Sequence, residues 1–434
     1  MGSISEIGAL ILEAGASGNL IQLKAIRKKV GDEREFLKMC DEYSDFSTGR
    51  NVLHHAANNG HSEICKFLIN NVKVYIDVMS YNMSTPVAEA VKGEHVKIVE
   101  FLINHGAVIS VPNLEGFTPL HFAVLKDNRK LTKLLLEKRA FVEAESVDGT
   151  ALQVAVSRGN AEAVKSLLSH GASPNHFYEV ADSPLVCAVK SRSFECMNLL
   201  LEAKADPNLY FSGSSPLACA AKDGDTKFLS SLLKAGADPN SSDMGIYKPI
   251  EEAAMAHNRA GVEILFPVTK RLAHFPNWTV DGIIEYIHSE ECITMNSKRL
   301  KRRLTQLSSR GAQLTMDKNY GNAIVQYRMA TNLYRYNVSW LSKRSLCQAR
   351  LGLRTHSLFG AQKCMKLLPN LPVPNHGEIP AGANMIFKKF LEASLAFSMD
   401  THNQEKGRAF RVSVYDYFAW LSQINTLEEI LSFR

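Results

Sequence analysis

The stretch EGFTPLHFAV, Glu115–Val124, decides how this chain is read. It returns as MSTPVAEAV (Met83–Val91), DGTALQVAV (Asp148–Val156), DSPLVCAV (Asp182–Val189) and SSPLACAA (Ser214–Ala221). The recurrence runs at about 33 residues over roughly the first 260. A fixed period of that size means a stack of small units, none of which buries its apolar face alone. Such a stack is usually a binding surface with no chemistry in it.

Each unit repeats one internal logic. A turn with Gly or Asn leads into Thr/Ser-Pro-Leu, where proline suits the first helical turn and the hydroxyl beside it can cap the helix. Alanines such as Ala56, Ala57, Ala220 and Ala221 line the inner side of the short helix that follows. Gly60-His61 and Gly159-Asn160 then make tight turns into a second helix ending in Leu-Leu, as in EAVKSLLSHGA and KFLSSLLKAGA. The Gly-Ala end provides a left-handed cap before an extended hairpin. This pattern resembles the ankyrin repeat, with repeats beginning near Thr48, Tyr81, Asn113, Val147, Ala181 and Gly213. Leu10–Val30 reads as an N-terminal cap and Lys248–Phe266 as a degraded last unit. His54 and His121 take the fourth place of the Thr-Pro-Leu-His signature. They are expected to tie neighbouring hairpins together rather than to catalyse.

The 434 residues suffice for two or three domains, and the composition is that of an ordinary globular chain. No apolar run approaches the roughly 18–20 residues that cross a bilayer, so membrane insertion is not expected. The first residues lack the basic segment of a secretory signal. The eight cysteines form no CxxC pair and no zinc spacing, so they read as core residues of a reducing compartment, cytoplasmic and also open to the nucleus. Net charge is +6, but residues 270–434 hold 23 Lys/Arg against 12 Asp/Glu, while residues 1–269 hold 27 against 32. The C-terminal part at +11 and the N-terminal part at −5 suggest two domains with different partners.

After residue 270 the period changes. Asn277–Ile287 reads as a linker helix capped by Thr279 or Asp281, followed by units of about 34 residues. Gly311, Leu314, Ala323, Tyr327 and Ala330 fall where two antiparallel helices must touch, and Ser345, Gln348, Ser357, Ala361, Cys364 and Pro369 repeat the spacing. This resembles the tetratricopeptide repeat, with a third pair interrupted by the Pro/Gly-rich loop Asn370–Asn384. The expected fold is all-α, an α-solenoid: an ankyrin stack over 1–269, a linker helix and basic run over 270–302, and a tetratricopeptide-like domain over 303–434. The combination, with WTVDGII and KRSLCQARLG, resembles a plant family of ankyrin–tetratricopeptide interaction proteins. Some tetratricopeptide domains clamp the acidic tails of heat-shock chaperones. The matching places here are Ser308, Ala312 and Lys343, with the fifth-helix pair near Val373, so most clamp donors are missing.

A partner of such a stack meets the hairpin tips and the exposed side of the first helices. The tips carry Tyr81, Phe117, Phe177, Tyr178, Tyr210, Phe211 and Tyr247, and exposed aromatics are candidate anchors. In the basic part, Lys343 and Arg344 and the run KRLKRR (Lys298–Arg303, including Arg302 and Arg303) are candidate contacts for an acidic segment. For the run, two further readings stay open: a nuclear localisation signal, and a solvated helix face with Leu300 and Leu304 inward. Phosphate loops, GxSxG, HExxH, kinase loops and dinucleotide fingerprints are absent, as are nucleic-acid-binding motifs. The chain is thus expected to be a monomeric, non-enzymatic protein-binding adaptor that needs no cofactor or metal and binds no nucleic acid. A co-chaperone that joins ankyrin-bound clients to a chaperone tail is the alternative.

Overall fold

At Thr118-Pro119-Leu120-His121 a helix start is closed by three residues at once. His121 Nδ1 accepts the backbone N–H of Thr118 at 3.1 Å, with the Thr118 hydroxyl 2.9 Å away. Pro119 fills the first helical position, where a missing N–H costs nothing. Leu120 drops into the core at 1% exposure, as do Leu53, Leu152, Leu185 and Leu217 in the same place of other repeats. Each such burial contributes about 1.5–3 kcal/mol, which no single repeat could collect without a neighbour to pack on.

The computed structural model describes residues 4–176, 182–209, 214–242, 246–334, 337–351 and Gly360. They fall into two compact bodies: residues 1–155 with 162–173, and residues 156–161 with 174 onward. In the first body α1 (Ile4–Ser17) and α2 (Leu20–Val30) form a helix pair, with Asn19 capping α2 at the turn. Helix α3 (Glu33–Glu42) then follows, between that pair and the first repeat, capped by Asp32 and burying Phe36, Met39 and Cys40. The repeats follow as α4 (Val52–Asn58) with α5 (Ser62–Phe67), which runs on as a π turn over Leu68–Val72; α6 (Pro86–Lys92) with α7 (Val96–Asn104); and α8 (Pro119–Leu125) with α9 (Arg129–Glu137). A two-residue antiparallel ladder, β1 (Glu145–Ser146) to β2 (Gly149–Thr150), leads to α10 (Ala151–Ser157) and α11 (Ala161–Ser169). Among the described residues this is the one strand pair; the tips around Ser80–Ser84 and Asn113–Phe117 are hydrogen-bonded turns.

The second body holds α12 (Pro184–Lys190) with α13 (Phe194–Glu202), α14 (Pro216–Asp223) with α15 (Thr226–Lys234), and α16 (Pro249–Met255) with α17 (Arg259–Leu265). Helix α18 (Val280–Ile287), capped by Thr279, packs on α16 and α17. A single 27-residue helix, α19 (Glu290–Met316), continues into α20 (Tyr320–Leu333) and α21 (Val338–Arg350). The last three pack in sequence, and Gly311 permits it: a Cβ there would lie 2.8 Å from the Tyr327 ring. Leu314, Ala323, Ile324, Tyr327 and Cys347 form their core. Ser357, Ala361, Cys364, Pro369 and the interrupted third pair lie outside the described residues.

Two kinds of bond join successive repeats within each body. On the hairpin side, one polar side chain accepts a backbone N–H from the next repeat. The first body has Asp41 with Tyr75 (3.0 Å), Asp77 with Val108 (3.0 Å), Ser110 with Phe141 (3.0 Å) and Glu143 with Ser173 (2.6 Å). The second has Asn175 with Asp206 (2.7 Å), Asn208 with Asp238 (2.8 Å) and Asn240 with Lys270 (2.8 Å). On the turn side, a residue of the later repeat donates to a carbonyl ending the earlier repeat's first helix: His61 to Ala16, His95 to Asn58, Ser191 to Val156 and Asn258 to Ala221. Each bond is worth about 1 kcal/mol net, and together they fix register.

These bonds correct the expected boundary at 269. The Lys270 N–H donates to Asn240 Oδ1, the hairpin-side bond, and His288 donates to Ala254 O at 3.1 Å, the turn-side bond. The segment expected as a linker therefore docks as one more unit. Buried Phe275, edge-on to Trp278 and Tyr286, seats it. The boundary expected at 302/303 falls inside α19, one continuous helix.

The signature histidines reach across repeats, His54 Nε2 to Ser84 O (2.8 Å) and His121 Nε2 to Gly149 O (3.1 Å). Burial holds the pKa of each down at about 4, against partial opposition from the carbonyls they meet. A neutral ring is needed, because Nδ1 accepts while Nε2 donates. In the unfolded chain both titrate near 6.5. Between pH 6.5 and 4 only the unfolded chain takes up these protons, so stability present above pH 6.5 is lost as the pH falls, by about 2 kcal/mol per histidine at pH 5. Gln153 fills the same place in the next repeat and accepts the N–H of Thr150 at 2.7 Å. Replacing His54 and His121 by Gln should therefore flatten the drop in urea midpoint between pH 7.5 and 5; an unchanged slope would refute this assignment. A second prediction concerns backbone strain. Arg139 (φ +61°) and Lys204 (φ +66°) hold the left-handed conformation that Gly106, Gly171 and Gly236 supply elsewhere. Arg139→Gly and Lys204→Gly should each stabilise by about 0.5–1 kcal/mol in denaturant titrations.

Candidate protein-binding surface

One side of the first helices, open to solvent only in part, is built from three positions: the residue before the N-cap and the fourth and seventh residues of the helix. In α4 and its approach these are Arg50, His55 and Asn58; in α6, Ser84, Glu89 and Lys92; in α8, Phe117, Phe122 and Leu125. The second body carries Asp182, Cys187 and Lys190, then Ser214, Cys219 and Lys222. Side chains at the first and last of these positions meet over the helix start. Lys92 Nζ reaches Ser84 Oγ at 3.0 Å, and Lys190 Nζ reaches Asp182 at 2.6 Å.

At the centre of the first body this face contains a fully buried carboxylate. Glu89 is 0% exposed. Its Oε1 accepts from the Ser84 hydroxyl (2.6 Å) and from Lys92 Nζ (2.7 Å), and Arg50 Nη2 lies 2.7 Å from Oε2. Burial alone would raise the Glu89 pKa, but the Lys92 charge, the Ser84 hydroxyl and Arg50 outweigh it and hold the group below its usual range. Lys92 also lies over the Phe122 ring, 4.4 Å from its centroid. One carboxylate thus joins three repeats. Before α4, Asp45 accepts from Ser47, Thr48 and His55, and these donors bring its pKa well down against the opposing effect of burial. The sequence reading missed this knot, since its visible signal is a Glu in a place where other repeats carry Phe122, Val154 or Cys187.

The expected anchors divide. Phe177, Tyr178, Tyr210 and Phe211 lie outside the described residues. Tyr81 is 39% exposed, its ring lies over Gly49, and its N–H donates to Thr48 O at 2.9 Å. Phe117 is corrected: at 8% exposure its ring is buried, packed edge-on to His121 and stacked with Phe122, and so is not presented to a partner. Tyr247 is half-buried and lines a hollow of about 250 Å³ with Met255, Ile287, His288, Asn296 and Leu300; burial, with Glu252 and Glu251 adding, raises its phenol pKa.

In the basic part, Arg302 is exposed and Arg303 half-buried on α19, while Lys343 and Arg344 are half-buried on α21. The run KRLKRR is helical throughout, with Leu300 and Leu304 half-buried. Its Arg299 turns inward to Glu251 (3.6 Å), a buried carboxylate that also meets His274 (3.0 Å) and caps α16 through the N–H of Lys248. Ser308, a clamp position in chaperone-binding domains, accepts from the Trp340 indole N–H at 3.2 Å. Among the described residues no metal-ligating cluster gathers, and no helix is long and apolar enough to cross a membrane.

Comparison with known proteins agrees with the repeat geometry. The profile for ankyrin repeats in three copies matches residues 22–113, 53–146, 108–178 and 143–211, and that for a single ankyrin repeat matches 212–244. The human transient receptor potential cation channel subfamily A member 1 is 32% identical over 174 residues, 39% of this chain and 15% of the channel. A putative ankyrin repeat protein of Rickettsia felis is 25% identical over 154 residues, 34% of this chain and 55% of that protein. The chain thus spans only part of the relatives it matches. The human ASB11 ankyrin repeat domain covers 50% of this chain and 98% of its own, at 26% identity and a TM-score of 0.44.

The Glu89 knot yields a prediction. Lys92→Met leaves a buried carboxylate with one cation fewer and should cost about 2–4 kcal/mol in urea unfolding. Adding Glu89→Gln should recover at least half of that loss. Additive single effects would show that the pair is not coupled.

Proposed function

Residues 22–244, just over half of the chain, make it a member of the ankyrin-repeat family, and on that premise we propose that it is a non-enzymatic adaptor. One observation carries this reading. The buried positions of successive first helices are nearly uniform, from Leu53 to Ile250, while the partly or fully exposed ones change chemistry repeat by repeat: Arg50 and His55, Lys92, Phe122, Cys187 and Lys190, Lys222. A constant core under a variable face is what selective protein binding requires. The tip aromatics Tyr81, Phe177, Tyr178, Tyr210 and Phe211 would supply anchors and the face charges orientation.

The helices from α19 onward, read as tetratricopeptide-like hairpins with a basic surface, would hold a second, acidic partner through Arg302, Lys343 and Arg344. The likeness to plant ankyrin–tetratricopeptide proteins would place such an adaptor in stress or immune signalling, in the cytoplasm or nucleus. The engagement of Ser308 by Trp340 favours this over a co-chaperone role, which needs free donors for a carboxylate clamp.

The test is quantitative co-purification from the native cell with the full tagged chain and a Tyr178→Ala/Tyr210→Ala variant. Specific proteins should be retained by the first and depleted more than about fivefold by the second, roughly 1 kcal/mol, at an unchanged melting temperature. Loss of stability with unchanged binding would make the rings structural and remove them as anchors.

A further inference from the structure

We propose that Tyr75, Val108 and Phe141 form a second docking strip, and that its occupant is an acidic amphipathic helix of a partner protein. The three residues follow the second helices of consecutive repeats, a register separate from the tips that precede the first helices. They are 62%, 52% and 59% exposed. Each is followed by another apolar residue, Ile76, Ile109 and Val142, all half-buried. The same register in the second body reads Asp206-Pro207 and Asp238-Pro239, so the fold does not demand apolar groups there. Three successive pairs of this kind make an apolar strip of the sort that marks an interaction site.

The strip is held in register. The backbone N–H of every rung is bound by the preceding repeat, through Asp41, Asp77 and Ser110. Those bonds also engage the nearest carboxylates, and Glu143 likewise accepts from Ser173. The exposed charges two and three places before the rungs are basic: Lys73, Lys138 and Arg139. A partner with acidic flanks is therefore favoured.

Spacing selects its conformation. Helices of adjacent repeats pack about 8–10 Å apart, and the rungs share that step. Seven residues of an α-helix rise about 10.5 Å and return to the same face, so apolar residues at i, i+7 and i+14 meet one rung each. Three residues of a β-strand cover about 10 Å but end on the opposite face.

The experiment uses the full chain and a fluorescein-labelled peptide of about 21 residues, three heptads long, with Leu at i, i+7 and i+14 and Glu and Ala elsewhere. Fluorescence anisotropy should give saturable binding that weakens with added salt. Tyr75→Asp/Val108→Asp/Phe141→Asp, which installs the residue of the later repeats, should weaken it at least about tenfold, or 1.4 kcal/mol, with the melting temperature preserved. If that triple variant unfolds, Tyr75→Ser/Phe141→Ser should give the same loss. A peptide with a central proline should fail to bind. Equal binding by wild type and variant would overturn the proposal, as would equal binding of the proline peptide, which indicates an extended occupant. Self-association of the wild type that the variant abolishes would also overturn it, by making a second copy the occupant. The tip variants of the adaptor reading leave this strip intact, so either idea can fail alone.

Discussion

The structure depends on one bond made again and again: a short polar side chain at the base of each hairpin accepts the first extended N–H of the next repeat. Asp41, Asp77, Ser110, Glu143, Asn175, Asn208 and Asn240 all do this. Each bond is modest. Its effect is to set register, because helices that meet through alanines and leucines can slide with little change in buried area. Asn175 and Asn208 add a second bond, donating to Lys204 O and Gly236 O. With register set on both sides, surface side chains in successive repeats line up, and a partner meets a row instead of scattered groups.

The polar positions inside the repeats follow from the same need. Every first helix opens against a neighbour, so its early N–H groups cannot all rely on water. Where the third helical residue is His54, His121, Gln153 or Glu251, its side chain closes the cap. Where it is Ala88, Val186 or Ala218, the hydroxyl of Thr85, Ser183 or Ser215 caps alone. The fourth residue then reaches back instead, as Glu89 does to Ser84 and Cys187 to the carbonyl of Asp182. Glu89 is the charged form of that second solution, and a charge so deeply buried needs the cations that surround it.

These two solutions explain what could be read from the sequence. The repeats were legible because Thr/Ser-Pro-Leu and Leu-Leu recur in phase, and phase survives changes in single letters. The unit around α18 was not, since Thr279-Val280-Asp281-Gly282 lacks the Pro-Leu signature and its seat is an aromatic cluster, Phe275, Trp278 and Tyr286, formed by contacts with no period. Helix α3 went unassigned for a similar reason: it occurs once, outside the repeat phase, with its own cap at Asp32. At the tips, Tyr81 and Phe117 look alike as letters. Their fates differ because one ring lies over Gly49 and stays 39% exposed, while the other is packed between His121 and Phe122.

Surface specificity escapes sequence reading for a physical reason. A core position is constrained by the same neighbours in every repeat, so its letter recurs and advertises itself. An outward position is constrained only by what it will meet, and it varies as Tyr75, Val108, Phe141, Ser173, Asp206 and Asp238 vary at one register. Exposure turns that variation into information: a bulky apolar residue at a place where sibling repeats hold aspartate costs solubility and adds nothing to the core. Departures from the repeat at exposed positions, and not its recurring core letters, are therefore what distinguishes the surface of one repeat from that of the next.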